Sequence, residues 1–222
     1  MLQFSLFRFP VVIQPSFWIM GVLMGYGLTQ GPHGHVMNLV IWIIILFLSI
    51  LWHELGHAFM FRRYGNESDV VLYSFGGLAI PQGRVRLTRG QDIVVSAAGP
   101  VFQLLIGLPL WWLNSKGYLW EFSQGRPFAG LALVNLMWVN LTWALVNLLP
   151  VYPLDGGRIS FALFGPRRET LALQLSLAVA AGAAIYCLTV KMGFAALFFG
   201  LLAYNNWRRL KGDPEVPWMN GS

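Results

Sequence analysis

His53, Glu54 and His57 stand in the order His-Glu-Leu-Gly-His. On a helix, a spacing of four residues puts both imidazoles on one face a turn apart, where they can share a metal ion, and turns Glu54 about 100° away from them. Neutral imidazole suits zinc, which lowers the pKa of its bound water toward about 7, so a carboxylate close by can act as general base without being a ligand. The chemistry such a set performs is hydrolysis, most often of a peptide bond. On a soluble amphipathic helix the same residues are ordinary occupants of a solvated face.

The element that carries them decides between these readings. Residues 38 to 61, NLVIWIIILFLSILWHELGHAFMF, form a nearly continuous apolar helix pattern that spans roughly 36 Å, enough to cross a bilayer with some tilt. Ionisable groups inside such a span are expensive and are expected to face a partner or a water-filled cavity. A catalytic zinc takes three protein ligands and keeps a fourth position open, so two histidines need one more. The best-placed candidate is Asp155 in Asn147-Leu-Leu-Pro-Val-Tyr-Pro-Leu-Asp155-Gly-Gly-Arg158, where two prolines end a helix and glycines turn the chain. A turn aspartate capping its own backbone is the competing account.

Composition bounds the rest. The chain has 222 residues, 56% hydrophobic and 11% charged, with a mean hydropathy of +0.59. That is too apolar for a water-soluble domain and too short for several, so 1–222 is expected to be a single integral membrane domain with a catalytic core over about 38–165 and a loose tail at 212–222. The net charge of +6 is scattered through loops instead of massed on one face, which argues against nucleic acid. Cys187, the one cysteine, lies in an apolar run and is expected to be a small core residue outside any disulfide. The N-terminus lacks a cationic start and a small-residue cleavage site, so no removable signal peptide is expected.

The expected fold is an all-α polytopic membrane protein with about six transmembrane helices, at residues 11–30, 38–61, 92–113, 128–149, 171–189 and 193–207. Pro15 interrupts the first and Gly21 and Gly25 allow close packing; Gly99-Pro100 kinks or opens the third. Between the second and third, DVVLYSFGGLAIPQGRVRL reads as a small re-entrant β-hairpin around Gly76-Gly77, whose free edge could take an unwound substrate as an added strand. A plain interfacial hairpin is the alternative. Asn140 and Asn147 share a face two turns apart, a polar stripe toward the interior. Gln103 either hydrogen-bonds between helices or touches substrate. His33 and His35 read as solvent-facing loop residues, with metal binding as the lesser alternative. All of the 15 lysines and arginines except Lys116, Arg126 and Lys191 fall on segments that alternate with the N-terminus, which puts both chain ends and the Asp155 turn in the cytosol.

The His-Glu-Leu-Gly-His helix followed by the Asn147 to Arg158 motif resembles the site-2 protease family of intramembrane zinc metalloproteases. Ser74-Phe-Gly76-Gly77 and Gly99-Pro100 look like features of that family too, so the resemblance covers about residues 38–165. It implies one zinc per chain held by His53, His57 and Asp155, with Glu54 as the catalytic general base. It also implies that Asn147 and the hairpin glycines Gly76 and Gly77 hold the substrate, and Asn140 on the same stripe joins them as a candidate. The implied reaction is hydrolysis of a peptide bond in or next to a transmembrane helix of a membrane-protein substrate, a single-pass partner in the lipid bilayer. One departure is Gln103, where family members commonly carry asparagine three residues after the Gly-Pro. No segment is long enough for an inserted PDZ or CBS domain, so a minimal member is expected. A catalytically silent zinc-binding scaffold would be expected to have lost Glu54, which is present, and a metal transporter to carry polar or acidic groups in several spans to form a path, where beyond the site the spans hold chiefly amides.

Overall fold

The computed structural model describes residues 1–30, 34–83 and 85–213. The expectations on His33, Arg84 and the tail from 214 onward lie outside the described residues. In chain order the elements are β1 (Leu2–Leu6), β2 (Phe9–Ile13), α1 (Pro15–Gly25), α2 (Val36–Arg63), β3 (Ser68–Tyr73), β4 (Gly76–Pro81), α3 (Arg89–Ser115), α4 (Tyr118–Ser123), α5 (Pro127–Asn147), α6 (Asp155–Phe164), α7 (Glu169–Thr189) and α8 (Gly193–Leu210). They divide into two compact units, Met1–Val85 with Ala98–Leu145, and Arg86–Ala97 with Val146–Ser222.

In the first unit a four-stranded sheet runs in the order β1-β2-β3-β4. β1 and β2 form an antiparallel hairpin, β2 and β3 pair in parallel with Val11 opposite Val70 and Ile13 opposite Leu72, and β3 and β4 are antiparallel. Alternate residues point inward: Phe9, Val11, Val70 and Leu72 are wholly buried against Leu46, Ile50, Leu55 and Ala58 of α2, the period of two meeting the helical period of 3.6. The expected hairpin is thus present, with one shift. Ser74 and Phe75 make the turn, and Gly76, at φ +134°, opens the second strand.

Two expectations need correction. The all-α reading missed β1 and β2, and residues 11–30 do not form one long helix. Pro15 starts α1 at its first position, where its missing N–H costs nothing. Val11 to Ile13 before it spend their backbone groups on β3. α1 has 11 residues, about 16 Å and so about half of a hydrocarbon core.

Four helical segments are long and apolar enough to cross a membrane among the described residues: Val36–Arg63, Arg89–Ser115, Pro127–Asn147 and Pro166–Thr189. Between 28% and 39% of each apolar window is buried inside the protein, and residues such as Ile44, Leu105, Trp138 and Ile185 face outward. A surface of that kind is stable in lipid and not in water. The second half of α8 carries Asn205, Asn206, Arg208 and Arg209, which keeps it out of that class. Six crossings are therefore not reached on length and composition.

In the second unit α7 and α8 pack along each other around Ala180, Cys187, Ala196, Phe199 and Leu202, with Val151 of the preceding loop in the same core. Cys187 is buried and free, as expected for a core residue.

Candidate metal centre

α2 brings the two histidines together as the spacing predicts. Their Nε2 atoms lie 3.0 Å apart, with ring centroids at 4.8 Å and planes at 78°, and both are nearly inaccessible, 3% and 4% exposed. Two ring nitrogens aimed at one point inside an apolar unit can be satisfied by a shared proton or a shared cation.

The other ring nitrogen of His53 is also held. Gln103 Nε2 donates to the Ser49 carbonyl at 3.3 Å, which turns its Oε1 toward His53 Nδ1 at 2.9 Å. That oxygen can only accept, so a hydrogen bond at this contact requires the His53 hydrogen on Nδ1. Asn140 donates to Ser49 Oγ at 2.9 Å and to the Leu136 carbonyl at 2.8 Å. Gln103 and Asn140 are wholly buried and Ser49 nearly so. Buried amides thus tie α3 and α5 to the turn of α2 below the histidine. Of the two expectations for Gln103, bonding between helices is the observed one, and both Asn140 amide hydrogens point into the protein.

Small residues let the backbones close around this pair. A Cβ on Gly56 would stand 2.7 Å from the Ala98 carbonyl oxygen, and one on Gly99 would stand 2.6 Å from His53 Nε2 and closer still to His57 Nε2. Gly99 therefore leaves open the space that both imidazoles face. On the other side β4 lies against the acid: a Cβ on Gly77 would meet the Glu54 carboxylate, Oε1 at 2.6 Å. Glu54 is 5% exposed. Tyr73 pairs with Gly76 at the hairpin's end. Burial first, and the Glu54 charge second, push its phenol up to about 12, so it remains a neutral hydrogen-bond donor at physiological pH.

Asp155, in the second unit, is the first residue of α6 and 6% exposed, a position where the helix dipole favours negative charge. The loop before it is clamped at Tyr152, whose N–H donates to Ser176 Oγ at 3.2 Å and whose carbonyl accepts from Asn206 Nδ2 at 2.7 Å. Gly156 and Gly157 sit so close to the backbone of Leu148 and Tyr152 that any side chain would collide. The Tyr152–Pro153 peptide is cis. Asn147 ends α5 half-buried. His35 caps the start of α2 and packs on Phe128.

Sequence reasoning did not single out Ser49, Tyr73 or Gly99 as site residues. The Gly-Pro signal drew attention to Gly99 for its backbone alone, and Tyr73 carried no signal.

A buried histidine pair with a buried carboxylate next to it on α2 is a donor set of the kind that suits zinc. The model of peptidase family M50 matches residues 41–131 and 129–189, and the chain belongs to that family. A candidate zinc metalloprotease of Synechocystis, sll0528, is 34% identical over 165 residues, covering 70% of this chain and 41% of the relative. Zinc metalloprotease MJ0392 of Methanocaldococcus jannaschii is 29% identical over 172 residues, covering 76% and 46%. The chain thus spans less than half the length of these two relatives. The solved site-2 protease of Methanocaldococcus jannaschii shares the fold with a TM-score of 0.61 at 23% identity, over 94% of each chain.

Proposed function

We propose that this chain is an integral membrane zinc endopeptidase that hydrolyses a peptide bond in or next to a transmembrane helix of another protein. The observation that carries the reading is the histidine pair of α2, whose Nε2 atoms lie 3.0 Å apart next to the buried Glu54; Asp155 is the proposed third ligand. Zinc, when bound there, supplies a Lewis acid that acidifies water and polarises a carbonyl.

Glu54 is then the general base, taking a proton from water and returning it to the leaving amine. β4 is a terminal strand of its sheet, and main-chain pairing along it would lay an extended substrate past Gly76 and Gly77, where Gly77 backs onto Glu54. Asn147 holds the substrate backbone in this reading, whereas Asn140 contributes through Ser49. A substrate helix must unwind first, because its carbonyls are already hydrogen-bonded, which favours partners with Gly, Pro or Asn in the span. Cytosolic termini complete the proposal; the distribution of lysines and arginines supports them.

The test is a reconstituted assay in proteoliposomes with single-pass helices that do or do not contain a central Gly-Pro. Cleavage that stops on chelation, returns with zinc and is lost in Glu54→Gln supports the reading. Zinc bound at one per chain with no cleavage of any such helix contradicts it.

A further inference from the structure

We infer that Gln103 is the positioning residue of the metal centre: it holds His53 in the tautomer with hydrogen on Nδ1 and so presents Nε2 as a ligand. The inference rests on the reading of His53 as a zinc ligand and adds a role to a residue outside the donor set.

A free imidazole places its hydrogen on either nitrogen, and a metal takes only the bare one, so the hydrogen bond at the far nitrogen selects the ligand. At His53 the far nitrogen faces Gln103 Oε1 at 2.9 Å. Gln103 cannot rotate its amide to offer a donor there, because its Nε2 is committed to the Ser49 carbonyl, and the reversed amide would set two oxygens against each other. That carbonyl is four residues before His53 on α2, so it also accepts the His53 backbone N–H. One buried side chain therefore grips the same residue at its ring and at its main-chain anchor. The Ser49 side chain is in turn held by Asn140 from α5.

Side-chain length matters. Pro100 is wholly buried and Gly99 lies against the two Nε2 atoms, so α3 cannot slide closer to α2. An asparagine at 103, one methylene shorter, does not span from α3 to His53 Nδ1, and a methionine fills the volume but accepts no useful hydrogen bond.

The experiment uses the metal-free full chain in detergent with 15N-labelled histidine, of which there are 4, under conditions that keep the imidazoles neutral. Wild type, Gln103→Met, Gln103→Asn and His53→Ala are compared by imidazole 15N shifts and by zinc affinity against a competing chelator. The expected result is a His53 ring with hydrogen on Nδ1 in the wild type, movement of that hydrogen to Nε2 in Gln103→Met, and a zinc affinity lower by roughly 10- to 100-fold. A merely structural role would leave the tautomer where it is. Should Gln103→Met fail to fold, Gln103→Asn carries the same prediction. An unchanged tautomer, or a changed tautomer with wild-type zinc affinity, overturns the inference. Wild type binding zinc no better than His53→Ala sinks the zinc-ligand reading instead, a failure visible apart from the tautomer measured without metal.

Discussion

Gly99 gives the metal centre its room. With a Cβ there 2.6 Å from His53 Nε2, Gly99→Ala sets a methyl group where both imidazoles converge, and α3 cannot give way because Gly56 already brings it against α2. The expected outcome is zinc content below half of one per chain in purified protein with the helical fold retained, read by metal analysis beside circular dichroism. What was legible at this scale was local. The histidine pair and Glu54 lie within one turn of α2, so a helical period alone aligned them. Gln103 is 50 residues from His53 and was left between two roles, because hydrogen-bond partners across helices leave no trace in spacing. Tyr73 acquires its character from burial and the Glu54 charge, neither of which a sequence displays.

The elements follow the same division. α2, α3, α5 and α7 announced themselves by long apolar runs, and their ends fall within a few residues of the expected ones. The β3-β4 hairpin was legible from its short apolar runs and glycines. The β1-β2 hairpin was not: its turn is Phe7-Arg8, both at positive φ, 50° and 67°, where Asn-Gly would be the usual signal. Arg62 supports that turn from α2 by donating to the Phe7 carbonyl at 2.8 Å and stacking on the Phe9 ring at 3.6 Å, contacts more than fifty residues away in sequence. In the second unit, Ser176 on α7 and Asn206 on α8 clamp the loop that carries Asp155. Asn206→Ala removes the hydrogen bond that the part-buried Tyr152 carbonyl accepts, at a cost of about 1 kcal/mol. A lower thermal midpoint together with weaker zinc binding is expected; an unchanged zinc affinity would mean that the clamp does not position Asp155.

For the molecule as a whole, the apolar outer surfaces of the long helices make it an integral membrane protein, and its orientation is open to a direct check. Because Cys187 is the one cysteine, a Cys187→Ser background accepts single reporters. Arg167→Cys is expected to react with a membrane-impermeant thiol reagent from the cytosolic side and Gln124→Cys from the opposite side; the reverse pattern would invert the proposed topology.

The measurement closest to the central claim is quantitative mass spectrometry of membrane proteins from cells carrying either the wild type or Glu54→Gln, which removes the base and leaves the three proposed ligands in place. Accumulation of a single-pass protein or its membrane stub in the variant alone is the predicted result. Identical membrane proteomes, with both proteins expressed and both holding zinc under conditions where the reconstituted wild type is also inert, would contradict the account.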